Sequence, residues 1–196
     1  MDRIVLITGA SRGIGLATAV AFATAGDTVV ATMRDTSRSG PLEAAATAAG
    51  VRMQVAELDV VSDESVSKAF TGLVAQYGRI DVLVNNAGRG TRGTLEELTI
   101  DDLQRSLDVN YLGVARVTKA ALPLMREAAR GHLIAVSSVA GFLGQPFQDA
   151  YCAAKHAVEG LYESLAPVAP YCSASRKFRD LLPRISATPR KTVSWR

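Results

Sequence analysis

The sequence predicts an α/β protein built on a doubly wound parallel sheet. Short apolar runs alternate with helix-length segments along residues 1–168. The first run passes straight into a glycine-rich turn, Thr8-Gly9-Ala10-Ser11-Arg12-Gly13-Ile14-Gly15, that opens a helix. The chain has 196 residues, 48% of them hydrophobic, which is enough for one domain with a sizeable core.

The strands are expected at Ile4–Thr8, Thr28–Met33, Arg52–Leu58, Val82–Asn85 and Leu133–Ser137. They are brief and mostly aliphatic, as strands buried on both faces must be. Gly26 suits the end of the first helix. Ser62 caps a helix with Asp63 and Glu64 in its first turn, ending near Gly78. Thr99, with Asp101 and Asp102 behind it, starts a long helix running toward Arg130. Regular strand–helix alternation implies right-handed crossovers and a sheet covered on both faces.

Composition narrows the function classes. The net charge of +3 is unevenly spread, because residues 169–196 hold seven Lys or Arg against Asp180 alone. That segment is +6 and residues 1–168 are −3. The two cysteines, Cys152 and Cys172, show no metal-ligand spacing and read as reduced thiols in a cytoplasmic protein with no metal. The N-terminus lacks a signal-peptide pattern, and no apolar run approaches membrane-spanning length. Neither a nucleic-acid nor a membrane partner is expected.

The glycine turn has the spacing G-x-x-x-G-x-G. Glycines permit a tight turn and close backbone approach, while the helix N-terminus offers N–H groups and a favourable dipole to a pyrophosphate. Thr8, Gly9, Ser11, Arg12, Gly13, Ile14 and Gly15 are therefore candidate nucleotide contacts. An acid at the end of strand two would chelate ribose hydroxyls and favour NAD(H). The chain places Arg34 there, with Asp35 one residue later and Arg12 in the glycine turn. Guanidiniums suit a 2′-phosphate, so NADP(H) is favoured over NAD(H).

Ser138 precedes Tyr151 by thirteen residues, and Lys155 follows that tyrosine by four. Positions i and i+4 share a helix face, so phenol and ammonium can enter one site. A nearby cation favours the ionised phenol. A serine hydroxyl alongside could hold a carbonyl or alkoxide oxygen, giving proton transfer at a carbonyl/alcohol centre. Ser137 is the competing hydroxyl, though strand alternation sends neighbours to opposite faces and the spacing favours Ser138. His132 and His156 lack carboxylate or metal partners in the pattern and read as structural or exposed.

Asn85-Asn86-Ala87-Gly88, Asn110 within Leu107–Gly113, and the Ser138/Tyr151/Lys155 set occur in order with the glycine turn. With them, residues 1 to about 168 resemble the short-chain dehydrogenase/reductase family. The segments around Arg34 and Gly144–Lys155 are most similar to its 17β-hydroxysteroid and retinol dehydrogenase branch. The resemblance implies a Rossmann-like sheet, here five strands in the order 3-2-1-4-5. It implies that Tyr151 is the general acid/base, that Lys155 supports it and binds the nicotinamide ribose, and that Ser138 polarises the substrate carbonyl. Asn110 would hold a water linking Lys155 to solvent. Asn86, Ala87 and Gly88 would floor the cofactor site, and Asp59 with Val60 would meet the adenine. Its substrate would be a small carbonyl compound or alcohol, and a homodimer or tetramer is the family's usual assembly.

Beyond Ala166 the family normally continues with a sixth strand, a Pro-Gly loop, a lid and a seventh strand. Residues 169–196 contain no apolar strand and no Pro-Gly pair, and prolines recur at 170, 183 and 189. The expectation is therefore a domain of residues 1–168 lacking strands six and seven, with an irregular or poorly ordered basic tail, 169–196. A reading frame lost near Val168–Tyr171 would produce that pattern. Two other functions follow from the tail: a catalytically impaired nucleotide-binding remnant, and an interaction protein acting through its basic arm.

Overall fold

The computed structural model describes residues 3–169 and Cys172–Ala174. Strands β1 (Ile4–Ile7), β2 (Thr28–Met33), β3 (Gln54–Glu57), β4 (Val82–Asn85), β5 (Gly131–Ala135) and β6 (Cys172–Ala174) form one parallel sheet in the order β3-β2-β1-β4-β5-β6. Helices α1 (Gly13–Thr24) and α2 (Gly40–Ala49) cover one face; α3 (Asp63–Tyr77), α5 (Gly113–Glu127) and α6 (Asp149–Val168) cover the other. Between α3 and α5 comes α4 (Ile100–Leu107).

Both cores are laid down by strand alternation. On β1, Val5 and Ile7 pack with Ala19 and Leu42, while Leu6 packs with Phe70, Val117 and Leu133 on the opposite face. All four residues of β1 and of β4 are buried, which accounts for the apolar runs Ile4–Ile7 and Val82–Val84. The helix starts follow the expected caps. Ser62 Oγ accepts from Ser65 N at 3.1 Å, and Gly78 ends α3 at φ 68°. Thr99 and Asp102 form a reciprocal capping box at the start of α4.

Two expectations are corrected. The long helix from Thr99 is interrupted by a π-turn, Asp108–Leu112, closed by Gly113 N to Asp108 O. Asn110 Nδ2 donates to Ser106 O at 3.0 Å, taking the acceptor that the Asn110 N–H would use in an α-helix. The helix widens there, as π-turns do. The order 3-2-1-4-5 holds, but a sixth strand, β6, is present on the outer edge of β5, pairing Gly131, His132 and Leu133 with Cys172, Ser173 and Ala174. A ladder bonds main chain to main chain, so a three-residue Cys-Ser-Ala segment can extend a sheet without an apolar run. The expected lack of a seventh strand concerns residues that lie, with the rest of the tail, outside the described residues. Among the described residues, no helix is long and apolar enough to cross a membrane, and no cluster of His, Cys, Asp or Glu could hold a metal ion.

The carboxyl ends of the strands carry the loops that matter. β1 is flanked by β2 and β4, whose crossovers leave in opposite directions, and a parallel sheet opens its ligand crevice at such a reversal.

Candidate functional site

A cleft of about 1000 Å³ lies over those carboxyl ends. A separate apolar groove of about 960 Å³ between α3 and α5 carries none of the predicted site residues. The cleft is therefore the site to build.

One end is the glycine turn, where Gly9, Ser11, Arg12, Gly13 and Ile14 form the surface. Gly9 has φ 67°, and a Cβ there would lie 2.8 Å from Ala87 Cα, so both conformation and space require glycine. Thr8 Oγ1 accepts from Asn86 N and Ala87 N at 3.0 Å each. Thr8 and Gly15 lie beneath the turn rather than on the cleft surface. α1 begins at Gly13 with no side-chain cap and no acid in its first turn. Its leading N–H groups and dipole thus face the cleft without a competing side-chain anion.

The end beside β2 and β3 brings together Arg34, Asp59 and Val60, and Arg12 of the glycine turn lines the same cleft. Arg34 follows β2 directly and is exposed. Asp35 is engaged elsewhere: Oδ1 accepts from Ser37 Oγ at 2.6 Å and Ser37 N at 3.1 Å, capping a 3₁₀ turn. These bonds, with Arg38 at 3.2 Å, hold its carboxyl below the usual carboxylate range. Arg38 also lines the cleft, as the sequence reading did not foresee. Its sequence signal is a second basic side chain four residues after Arg34. Asp59 Oδ1 accepts from Val61 N at 3.2 Å, and Ser65 Oγ accepts from Asp59 N at 2.9 Å, which fixes this loop.

Asn86, Ala87 and Gly88 floor the middle, and Asn110, Tyr151 and Lys155 line the far end. Tyr151 stands in the first turn of α6 with Lys155 one turn on; the Lys155 Nζ is 5.7 Å from the tyrosine ring centroid. Lys155 is 5% exposed, and its Nζ donates to Val136 O at 2.8 Å. Burial pushes its pKa down, partly opposed by Glu159. Asn110 is fully buried; its Nδ2 donates to Arg89 O at 2.9 Å and Ser106 O, and its Oδ1 accepts from Arg89 N at 3.0 Å.

Ser138 does not line the cleft; its Oγ accepts from Ala140 N at 3.2 Å, starting a 3₁₀ turn. Ser137 does line it, yet its Oγ is buried with no hydrogen-bond partner among the described residues. The segment leading to Tyr151 is pinned to the loop after β4, where Gly93 N donates to Phe147 O at 2.9 Å and Leu95 N to Asp149 Oδ2 at 2.7 Å. Of the remaining candidates, His156 Nδ1 meets Cys152 O at 2.9 Å, and Cys152 is a buried free thiol.

This geometry has clear relatives. The sequence model of a family described as "short chain dehydrogenase" matches residues 3–170. Retinol dehydrogenase 8 of Bos taurus is 48% identical over 168 residues, covering 84% of this chain and 53% of its own. Estradiol 17-beta-dehydrogenase 1 of Rattus norvegicus is 45% identical over 173 residues, covering 85% of this chain and 50% of its own. The chain thus spans about half the length of these curated relatives. A solved short-chain dehydrogenase from Streptomyces avermitilis superposes with TM-score 0.82 at 40% identity, covering 89% of this chain and 64% of that one. An alcohol dehydrogenase from Thermococcus sibiricus, complexed with 5-hydroxy-NADP, gives TM-score 0.82 at 30% identity, covering 89% and 74%. By sequence and by fold, the chain belongs to the short-chain dehydrogenase family.

Proposed function

We propose that this chain carries the nucleotide site and proton-transfer centre of an NADP(H)-dependent oxidoreductase that interconverts a ketone or aldehyde and an alcohol. One observation carries the reading: a single cleft has an arginine-lined end at β2 and the Tyr151–Lys155 pair at the other. Retinol and estradiol dehydrogenases among its relatives, and a neighbour complexed with an NADP derivative, point the same way.

The residues fit the cofactor. The cradle between Gly9 and Ala87 would be filled by any Cβ, and the uncapped start of α1 suits a pyrophosphate. Arg34 and Arg12 would take the 2′-phosphate, and Asp35, engaged with Ser37 and Arg38, does not compete with them. Asp59 and Val60 would bracket the adenine. Asn86, Ala87 and Gly88 would lie beneath the ribose, and Lys155 would hydrogen-bond it. When bound, the nicotinamide supplies or accepts the hydride.

The chain's own part is proton delivery and alignment. Tyr151 Oη gives a proton to the substrate oxygen in reduction and takes it back in oxidation. The Lys155 ammonium beside the ring stabilises the phenolate formed as the proton leaves. Val136 O holds that ammonium by one of its three donors, leaving two for the ribose and the proton path. Ser138 would polarise the carbonyl once its Oγ turns from Ala140 N. A water serving Lys155 would rest on the Asn110 main chain, because the side chain is bonded to Arg89 and Ser106.

The test separates binding from turnover. NADPH and NADH affinities are measured by titration, then single-turnover reduction of a ketone is followed at saturating NADPH. Binding with tighter NADPH and turnover lost in Tyr151→Phe supports the proposal. Binding without turnover removes the enzyme reading, and no binding removes the nucleotide reading as well.

A further inference from the structure

The geometry points to Arg116 as a positioning residue that ties the adenosine end of the cleft to the π-turn carrying Asn110. This inference rests on the nucleotide reading above and adds a mechanical link to it.

Arg116 lies one turn into α5, mostly buried, with a side chain that is 23% exposed. Its Nη1 donates to Val60 O at 3.2 Å and to Asp108 Oδ1 at 2.7 Å; its Nε pairs with Asp63 Oδ1 at 3.0 Å. Val60 is part of the adenosine floor, and Asp108 is the first residue of the π-turn. One guanidinium nitrogen therefore bonds both the floor and the turn. Gly113, which closes the turn, makes the contact tighter. A Cβ on Gly113 would sit 2.8 Å from Val60 Cγ2, so the floor packs directly against the turn.

The turn in turn sets the far end. Asn110, two residues after Asp108, clamps the Arg89 main chain by both its N–H and its carbonyl. A Cβ placed on Gly88 would lie 2.9 Å from Asn110 Oδ1 and 4.0 Å from Lys155 Nζ, so the clamp adjoins the lysine. The chain of contacts runs from Val60 through Arg116 and Asp108 to Asn110, then past Gly88 to Lys155. Packed, hydrogen-bonded links of this kind carry coupling between sites. The Asp63 pair is peripheral, since that carboxylate is 88% exposed and screened. An isolated arginine on a helix has no motif signature, which is why sequence reading passed over it.

Hydrogen exchange on the full chain tests the link without requiring turnover. Wild type, Arg116→Met, Arg116→Lys and Asp63→Asn are each compared with and without saturating 2′,5′-ADP, which occupies the adenosine half alone. In wild type and Asp63→Asn, the ligand slows exchange at Val60 and Val61, and also at Arg89 and across the π-turn. In Arg116→Met, protection stays at the floor, and 2′,5′-ADP affinity falls by roughly 3–10-fold. Arg116→Lys, which keeps a cation but loses the fork, recovers part of the spread. Protection reaching Arg89 in Arg116→Met as in wild type overturns the inference, even if that variant melts earlier. If Arg116→Met does not fold, full wild-type spread in Arg116→Lys together with loss in Asp63→Asn overturns it instead. Failure of wild type to bind 2′,5′-ADP overturns the nucleotide reading itself.

Discussion

Asn86 Nδ2 donates to the carbonyls of both Thr8 and Gly9, at 2.9 Å each, and so fastens the end of β4 to the glycine turn. The bond sits where Gly15 has no side chain. A Cβ on Gly15 would collide with Asn86 Nδ2 and Gly9 O, the two atoms that make the bond. Gly15→Ala is expected to break this brace, lowering stability by about 1–3 kcal/mol as in other overpacked sites. Nucleotide affinity should fall with it, because the Gly9 and Ala87 cradle loses its support. Thermal melting and an NADPH titration on the same preparation check both effects. Unchanged affinity at lower stability would separate the brace from the site.

Lys155 yields a prediction in which stability and function move apart. Burial lowers its pKa from the ordinary lysine value, with Glu159 opposing. The unfolded chain therefore binds this proton more tightly than the folded one, so the charged lysine weakens the fold at neutral pH. That cost recedes as pH rises from the lowered folded value through 10.5, the unfolded one. Lys155→Met removes the titration but strands Val136 O, whose loss of a donor costs about 1–3 kcal/mol. The sign of the pH dependence is the diagnostic. Relative to Lys155→Met, the parent should gain stability between neutral and strongly alkaline pH, while the variant loses turnover throughout. A flat difference in chemical denaturation across that range would mean the lysine is not desolvated.

Much of the fold was legible because buried parallel strands must be apolar along their whole length. β1 and Val82–Val84 of β4 are such runs, and β2 is interrupted only by Thr28 and Thr32, so their positions follow. β3 was less legible: its residues are only partly buried, and it contracts to Gln54–Glu57. β5 begins two residues earlier than its apolar pattern, because His132 N bonds Asp81 O and draws Gly131 into the ladder. The π-turn was invisible, since an asparagine inside a helix becomes a break only when its side chain finds Ser106 O and the Arg89 main chain. The glycine turn and the Tyr151–Lys155 pair were readable because their chemistry is local in sequence. Arg116 acts through tertiary neighbours, Val60, Asp63 and Asp108, and nothing in its flanking residues announces it.

The capping box at α4 predicts an acid response. Hydrogen bonds from Thr99, then Arg105, lower Asp102 to about 2. A depressed carboxylate stabilises the fold above its unfolded value of 3.8, and that contribution disappears as pH falls through about 2. Asp102→Ala should therefore melt below the parent at neutral pH, and the gap should close below pH 3.8. Arg105→Ala should reproduce a smaller part of the same gap. Melting curves between neutral and strongly acidic pH check it. A gap that persists undiminished in acid would assign the loss to packing rather than to the cap.

Phe147 carries the last prediction. It has φ 63°, in the left-handed region, although phenylalanine there is strained and the ring is 63% exposed. The conformation is enforced from outside, because Phe147 O accepts from Gly93 N and Gln148 bridges the same glycine. Strain of this kind collects beside functional sites, and Tyr151 follows four residues later. Asparagine tolerates left-handed backbone, and an exposed ring contributes little burial that a polar residue would forfeit. Phe147→Asn should therefore gain up to about 1 kcal/mol of stability in chemical denaturation. An exposed aromatic ring four residues before Tyr151 also offers an apolar substrate a surface, so the KM for an apolar ketone should rise while NADPH affinity stays unchanged. Lower stability in Phe147→Asn would show that the ring is anchored rather than strained, and an unmoved KM would remove it from the substrate path.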